Sequence, residues 1–185
     1  MKKTKMALII VLTALLLATA CRTAPPPPAQ ADEAHTMYIF GLVNKLAGNL
    51  EEAMEYFNEA IRLDPNSAEA FSARGRVWHE WGDWDLAIAD FTRAIRLDPN
   101  DIYLFAYRGD AHFERGDWSL AIADYNEFLR LEPFYYDVFS NRGFAHFQLG
   151  NFDQAIADFQ SVLIVNPDHP YARNNIEYLQ RRLGI

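Results

Sequence analysis

Histidines are the residues whose type and spacing first suggest chemistry in this chain. His112 and His146 lie 34 residues apart, and His79 stands beside Glu80 about the same interval earlier. Imidazole and carboxylate groups are common zinc ligands, but zinc motifs place them only a few residues apart. No close group of His, Cys and Asp follows such a spacing here. We therefore predict no metal site and no cofactor.

Other catalytic signatures are also missing from the sequence. It contains no nucleophile elbow and no glycine-rich phosphate loop. The chain is acidic, with a net charge of −8, and it has no run of basic residues. An acidic surface without a basic stripe argues against nucleic-acid binding. We predict a protein that is not an enzyme and does not bind nucleic acid.

The first twenty residues differ from the rest. Three lysines precede an apolar run over residues 6–20, which is short for a bilayer span and typical of a signal peptide, predicted over 1–20. Residues 18–21 read Ala-Thr-Ala-Cys, which resembles the lipobox of bacterial lipoproteins. The resemblance implies that the mature chain starts at Cys21 and is lipidated there. Cleavage by the general signal peptidase, with Cys21 incidental, is the alternative.

The segment after the cysteine carries two further signals. Arg22 follows Cys21 where an aspartate would favour retention in the inner membrane, so the resemblance implies an outer-membrane lipoprotein that faces the periplasm. Four consecutive prolines, 25–28, predict a semi-extended tether over residues 21–33. Removing residues 1–20 takes away three lysines and no acid, which changes the net charge from −8 to −11.

The remaining chain repeats with a period of 34 residues. Four series of residues share this spacing: Pro65, Pro99, Pro133 and Pro167; Gly41, Gly75, Gly109 and Gly143; Gly48, Gly82, Gly116 and Gly150; Ala53, Ala87, Ala121 and Ala155. A 34-residue unit with glycine at position 8, alanine at 20, an aromatic at 24 and proline at 32 resembles the tetratricopeptide repeat, or TPR. The resemblance implies an all-α, right-handed superhelical solenoid.

The predicted TPR domain spans residues 34–185. It contains repeats at 34–67, 68–101, 102–135 and 136–169 and a cap helix at 170–184. Each repeat is expected to form two antiparallel helices that approach closely at the small residues and end at the proline. The glycine at position 15 ends the first helix, and the next residue is expected to cap the second with its side chain. Glu52 and Gln154 lie where a capping box would place them.

Two positions of the repeat change together. Positions 7 and 23 carry an arginine and an aspartate in three repeats, namely Arg74 with Asp90, Arg108 with Asp124 and Arg142 with Asp158. The first repeat has Phe40 and Tyr56 instead. Because both members change at once, we predict a contact between the two helices of each repeat.

The TPR resemblance also implies a binding surface. In the family, positions 2, 5, 9, 12 and 13 of the first helices line the concave face. Carried over by position, the groove residues are Tyr38, Leu42, Lys45, Arg76, His79, Tyr103, Asp110, Phe113, Phe144, Phe147, Tyr178, Arg181 and Arg182. Aromatics and arginine are enriched at interface hot spots. We expect the aromatics to anchor a bound peptide, and Arg76 and Asp110 to set its direction.

The ligand class is only partly constrained by these residues. The lysines and asparagines with which chaperone-binding TPR domains clamp an acidic C-terminal tail are not matched in either possible frame. Arg181 and Arg182 leave room for a carboxylate at the C-terminal end of the groove.

The sequence therefore predicts that the protein is a non-catalytic scaffold or assembly factor of the bacterial envelope. It is expected to bind a protein or peptide partner and to be held in the membrane by a lipid anchor. Two alternatives stay open. One is a pilotin-like lipoprotein that escorts an outer-membrane secretion or pilus component. The other is a homo-oligomer that buries the aromatic face against itself.

Overall fold

The computed structural model describes residues 27–184, which form α-helices joined by short connections, with no strand in that range. The helices are α1 (Pro28–Leu46), α2 (Leu50–Leu63), α3 (Ala68–Trp81), α4 (Trp84–Leu97), α5 (Tyr103–Arg115), α6 (Trp118–Leu131), α7 (Tyr136–Gln148), α8 (Phe152–Val165) and α9 (Pro170–Leu183). This confirms the predicted all-α class. The predicted signal peptide, Cys21 and Arg22 lie outside the described residues.

The first helix starts earlier than the repeat pattern places it. α1 begins at Pro28, so residues 28–33 of the predicted tether are helical. Proline is tolerated in the first turn of a helix because its missing N–H would have no partner there. Gln30 adds a further contact, since its side-chain amide donates to the carbonyl oxygen of Leu63 at the end of α2, at 2.9 Å.

The turn inside each hairpin has the same backbone structure, shown here for the turn between α5 and α6. Gly116 has φ 86°, a left-handed conformation that favours glycine. Its N–H donates to Phe113 at 2.9 Å, and the N–H of Asp117 donates to the carbonyl of His112 at 2.9 Å. These are the two bonds of a Schellman motif, which satisfies the last carbonyls of the helix.

The predicted side-chain caps of the second helices are not formed. Asn49, Asp83, Asp117 and Asn151 occupy the cap position, but none makes a side-chain cap hydrogen bond. A capping box needs the free backbone N–H of the capping residue. In each turn that N–H already donates to a carbonyl of the preceding helix. The Schellman motif and the capping box therefore compete for the backbone N–H of the capping residue. The Schellman motif is the one observed.

The described residues divide into two compact units between Ala70 and Phe71. In the first unit, α1 packs against α2. Ala53, Phe57 and Ala60 of α2 are buried, and the ring of Phe57 fills the space that a side chain at Gly41 would need.

The second unit repeats this packing in three hairpins. Phe91, Tyr125 and Phe159 are fully buried aromatics at the same position of successive repeats. A Cβ built on Gly75 would lie 2.9 Å from the ring of Phe91, which is closer than real Cβ contacts allow. Glycine is therefore required here for the helices to approach.

The cap helix α9 completes the core of the last hairpin. Its Ala172 and Leu179 are buried against Ala155, Phe159 and Val162 of α8. The helix starts with Pro170, and the side chain of the preceding His169 accepts a hydrogen bond from the backbone N–H of Ala172 at 3.2 Å. The apolar face of α8 is thereby covered.

Each hairpin of the second unit contains an ion pair between its two helices. Arg74 donates from Nε and Nη2 to the two carboxylate oxygens of Asp90, both at 2.8 Å. Arg108 and Asp124 form the same two-point arrangement at 2.9 and 2.6 Å. Arg142 and Asp158 repeat it at 2.9 and 2.6 Å.

The aspartates of these pairs are buried, while the arginines are partly exposed. Arg108 also donates to Thr92 of the preceding repeat at 3.2 Å, and Arg142 donates to Asn126 of its preceding repeat at 2.6 Å. In the first unit the rings of Phe40 and Tyr56 contact each other instead, with centroids 5.6 Å apart. One helix-to-helix position thus accepts either an ion pair or an aromatic pair.

No helix between residues 27 and 184 has both the length and the apolar character required to cross a bilayer.

Asp90→Ala should lower the free energy of unfolding by about 3 kcal/mol, because it leaves the guanidinium of Arg74 without its buried partner. The double variant Arg74→Phe with Asp90→Tyr copies the aromatic pair of the first repeat and should recover most of this loss. Urea unfolding followed by circular dichroism measures both.

The control is Glu59→Ala, which breaks an exposed i, i+3 pair with Arg62 and should change stability little. If Asp90→Ala is no more damaging than this control, the inter-helix pair is not a stabilising contact.

Candidate functional site

A row of contacting aromatic side chains follows the second unit from α5 to α9, and we call it the aromatic ladder. Its members are Phe113, Trp118, Phe144, Phe147, Phe152 and Tyr178. Ring centroids lie 5.2 Å apart for Phe113 and Trp118, 5.6 Å for Phe113 and Phe144, and 6.1 Å for Phe144 and Phe147. Phe147 then contacts Tyr178 of α9 at 6.0 Å. These separations are in the range of favourable aromatic pairs.

The hairpin turns position the ladder. Phe113 near the end of α5 contacts Trp118 at the start of α6, and Phe147 contacts Phe152 across the next hairpin turn, at 6.0 Å. The repeat period then places Phe144 of α7 beside Phe113. The ladder therefore combines contacts inside hairpins with contacts between them.

Part of the ladder is open to solvent. Phe144 is 37% exposed and Tyr178 is 50% exposed, although both rings touch other members. At the C-terminal end the guanidinium of Arg182 lies 5.0 Å over the ring of Phe152. Rings that are held by neighbours but partly exposed lose little conformational entropy when a partner covers them.

A cleft of about 180 Å³ shares helix α5 with the ladder, and we call it the polar cleft. It is formed by side chains of α3, α4 and α5. They are Arg76, His79, Glu80, Phe91, Tyr107 and Asp110. Arg76 and Asp110 occupy position 9 of their repeats, and Phe144 occupies position 9 of the next repeat. The same repeat position is therefore polar in the cleft and aromatic in the ladder.

Aromatic contacts hold two side chains of the polar cleft. The guanidinium of Arg76 lies 5.2 Å from the ring centroid of Tyr107. His79 packs edge-on against Trp84, with centroids 4.9 Å apart. The Nε2 atom of His79 is buried and has no hydrogen-bond partner in the described part of the chain. Buried polar atoms are nearly always satisfied, so this atom stands out among the side chains that line the cleft.

Asp110 belongs to a hydrogen-bond network that reaches into the core. Its Oδ1 accepts from the hydroxyl of Tyr125 at 2.8 Å and from the side-chain amide of Asn141 at 3.2 Å. Burial raises the pKa of Asp110, and the two hydrogen bonds and the nearby His79 partly oppose that rise. Burial and the carboxylate of Asp110 in turn raise the pKa of the Tyr125 hydroxyl. Asp110 therefore lines the cleft and also links it, through a hydrogen bond, to the buried Tyr125.

His112 and His146, whose spacing suggested a metal site, lie among residues that pack the hairpins. His112 is buried, with its ring nitrogens 3.7 Å from Asp117 and 3.9 Å from Asp124. Burial lowers the pKa of both His112 and His146. Within the described residues, no three His, Cys, Asp or Glu side chains are grouped so as to hold a metal ion.

Several predicted groove residues are not among the residues that form the ladder or line the polar cleft. Tyr38 and Leu42 belong to the first unit, where Tyr38 lines a separate cleft with His35. Tyr103 packs against Phe128, with centroids 5.6 Å apart, and is absent from the contacts of the ladder. Arg181 is highly exposed and bonds to Glu177 one turn earlier.

The sequence prediction omitted Trp118, Phe152, Tyr107, Tyr125 and Asn141 from the site. A signal for Tyr125 was present, because the equivalent residues of the other repeats are Phe57, Phe91 and Phe159. The one tyrosine of this series occurs in the one repeat with an acid at position 9, Asp110. The buried hydroxyl needs an acceptor, and the carboxylate supplies it.

Comparison with protein families identifies the repeat. Models described as "Tetratricopeptide repeat" match residues 41–102 and 136–169, and one described as "TPR repeat" matches residues 109–150. The chain is a tetratricopeptide repeat protein. Stacked repeats of this kind generally present extended binding surfaces. A comparison with curated proteins finds no match.

Solved structures share the fold at low sequence identity. MamA from Desulfovibrio magneticus RS-1, residue 41 to the end, is 19% identical and covers 83% of this chain and 86% of that one, with a TM-score of 0.78. A second MamA crystal structure is 21% identical and covers 78% and 84%, with a TM-score of 0.74. YrrB, described as a TPR protein with an unusual peptide-binding site, is 21% identical and covers 80% and 76%, with a TM-score of 0.75.

The raised pKa of Asp110 predicts a pH dependence of stability. The folded state binds the proton of this carboxyl more tightly than the unfolded state does, so above pH 3.8 the contribution of Asp110 to stability falls as pH rises through the folded pKa. Asp110→Asn removes this titration but keeps an oxygen that can accept from Tyr125.

The measurement is the difference in unfolding free energy between Asp110→Asn and the wild type, from urea curves at several pH values. The difference should become more favourable to the variant as pH rises above 3.8 and should then level off. A difference that stays constant would mean that the carboxyl is not perturbed by burial.

Proposed function

We propose that this TPR protein is a non-catalytic scaffold or assembly factor that binds a segment of a partner protein along the aromatic ladder and the adjoining polar cleft. The observation that carries the proposal is the juxtaposition of partly exposed, mutually packed rings with a cleft in which a buried His79 nitrogen lacks a hydrogen bond to any described residue. Binding sites commonly combine apolar walls with a few polar groups that fix orientation.

Apolar side chains of the partner would cover Phe113, Phe144 and Tyr178. These rings keep their positions through ring contacts within the ladder, so binding orders few side chains on this side of the interface. Burial of the exposed aromatic area contributes favourable binding free energy, at about 25 cal/mol per Å². The peptide-binding site described for YrrB, which shares the fold, supports a peptide as the kind of partner.

Replacing both Phe113 and Phe144 by alanine should abolish capture of the partner, because it opens a gap in the middle of the ladder. The measurement is crosslinking and co-purification of the native, full-length protein with its partner, followed by quantitation against the wild type. Circular dichroism of the purified variant checks that the helices stay folded.

The matched control is Phe134→Ala, which removes an 81% exposed ring from the connection between α6 and α7, outside the ladder. It should leave capture unchanged. Equal capture by the double variant and the wild type would overturn the ladder as the binding surface. A concentration-dependent mass in light scattering, lost in the double variant, would instead identify a second copy of the chain as the partner.

The same proposal places the protein at the bacterial envelope, anchored through lipidated Cys21. Support comes from the sequence of residues 1–22, with its basic start, short apolar run and lipobox-like tetrapeptide. A lipid anchor would keep the binding surface near the membrane, and stable anchoring takes more than one acyl chain.

Cys21→Ser should move the protein from the membrane fraction to the soluble fraction and remove incorporation of labelled fatty acid. Cell fractionation and metabolic labelling measure these two effects, with Arg22→Asp as the control that keeps the cysteine. Continued fatty-acid labelling of Cys21→Ser would rule out this residue as the attachment point.

A further inference from the structure

From the polar cleft we infer that the bound segment of the partner carries a basic side chain, lysine or arginine, which enters the cleft while neighbouring apolar residues cover the aromatic ladder. This inference rests on the proposed function and specifies the chemistry of its ligand. It assigns the role of counter-charge to Asp110, with His79 as a second hydrogen-bonding group.

The hydrogen bonds of Asp110 leave one of its oxygens available. Both donors, the Tyr125 hydroxyl and the Asn141 amide, end on Oδ1. No described residue donates to Oδ2. A charged donor on this oxygen would form a strong bond, because hydrogen bonds to ionised groups are the stronger ones.

The charges around the cleft favour a cation over an anion. Glu80 and Asp110 line the cleft, and Glu114 is close enough to raise the pKa of Asp110 by repulsion. The guanidinium of Arg76, which also lines the cleft, is already stacked on Tyr107. A ligand carboxylate would meet this acidic surround at short range, whereas a cation relieves it.

The remaining walls suit a basic side chain as well. Phe91 and Tyr107 offer aromatic surface, which attracts ammonium and guanidinium groups. The buried Nε2 of His79 has no partner among the described residues, and in the tautomer with its proton on Nδ1 it accepts a hydrogen bond. Lysine has three donors and arginine five, and neither has an acceptor, so one side chain can serve both Asp110 and His79.

Charge complementarity extends beyond the cleft. The whole chain carries a net charge of −8. A partner with basic residues would be attracted at long range and would be oriented by the local acid cluster.

The experiment is selection of a random phage-displayed peptide library on the immobilised full-length protein, in parallel on three variants. Asp110→Asn keeps an acceptor for Tyr125 but turns the available oxygen into an amide donor, which repels a cationic group. Asp137→Asn makes the same charge change at an exposed position at the start of α7 and is the matched control. The double variant Phe113→Ala with Phe144→Ala tests the ladder.

The wild type and Asp137→Asn should both enrich peptides with a lysine or arginine next to aromatic or aliphatic residues. Asp110→Asn should lose the basic residue from its consensus while keeping the apolar ones. A synthetic peptide of the wild-type consensus should bind about tenfold or more weakly, by fluorescence anisotropy, when its basic residue is changed to glutamine.

Enrichment of acidic or neutral residues at that place by the wild type would overturn the basic-side-chain inference and leave the proposed function intact. An identical consensus from Asp110→Asn and the wild type would overturn it as well. If the wild type enriches nothing, or if the ladder double variant enriches the same peptides, the proposed function itself fails.

Discussion

The contact between a glycine of the first helix and a buried aromatic ring of the second determines the geometry of each hairpin between residues 27 and 184. Gly75 faces Phe91, Gly109 faces Tyr125, and a side chain at either glycine would collide with the ring. Because the helices are this close, the residues next to the glycine are held at a fixed place beside the ring. Asp110 follows Gly109 and therefore lies within hydrogen-bonding distance of the Tyr125 hydroxyl. The site thus inherits its geometry from the packing beneath it.

The ion pairs between the two helices reinforce the same hairpins. A buried carboxylate is costly unless a charged partner and further donors accompany it. Asp124 and Asp158 each receive two hydrogen bonds from one arginine, and that arginine also binds the preceding repeat. One side chain therefore links the two helices of its own hairpin to the hairpin before it. Neighbouring repeats are connected by polar contacts here and by aromatic contacts along the ladder.

The hairpins could be predicted from the sequence because the 34-residue period repeats the same small, aromatic and proline residues. The features that were wrong or missed depend on contacts that the repeat pattern does not display. The capping boxes expected at Glu52 and Gln154 are not formed because the Schellman turn already uses the N–H of Asn49 and of Asn151. The early start of α1 brings Gln30 into a hydrogen bond with Leu63, 33 residues away. Phe152 and Trp118 look like ordinary core residues until the next repeat is placed beside them.

The polar cleft and the aromatic ladder illustrate how one repeat position diversifies a repetitive surface. Position 9 is Arg76, Asp110 and Phe144 in successive repeats of the second unit. Where it is aromatic, the ring packs against Phe113 and fills the space between hairpins. Where it is charged, desolvation disfavours such filling, and a cleft stays open between the helices. Under the proposed function, this change from charge to ring would set where a partner side chain enters, since the two ends of the surface differ in chemistry.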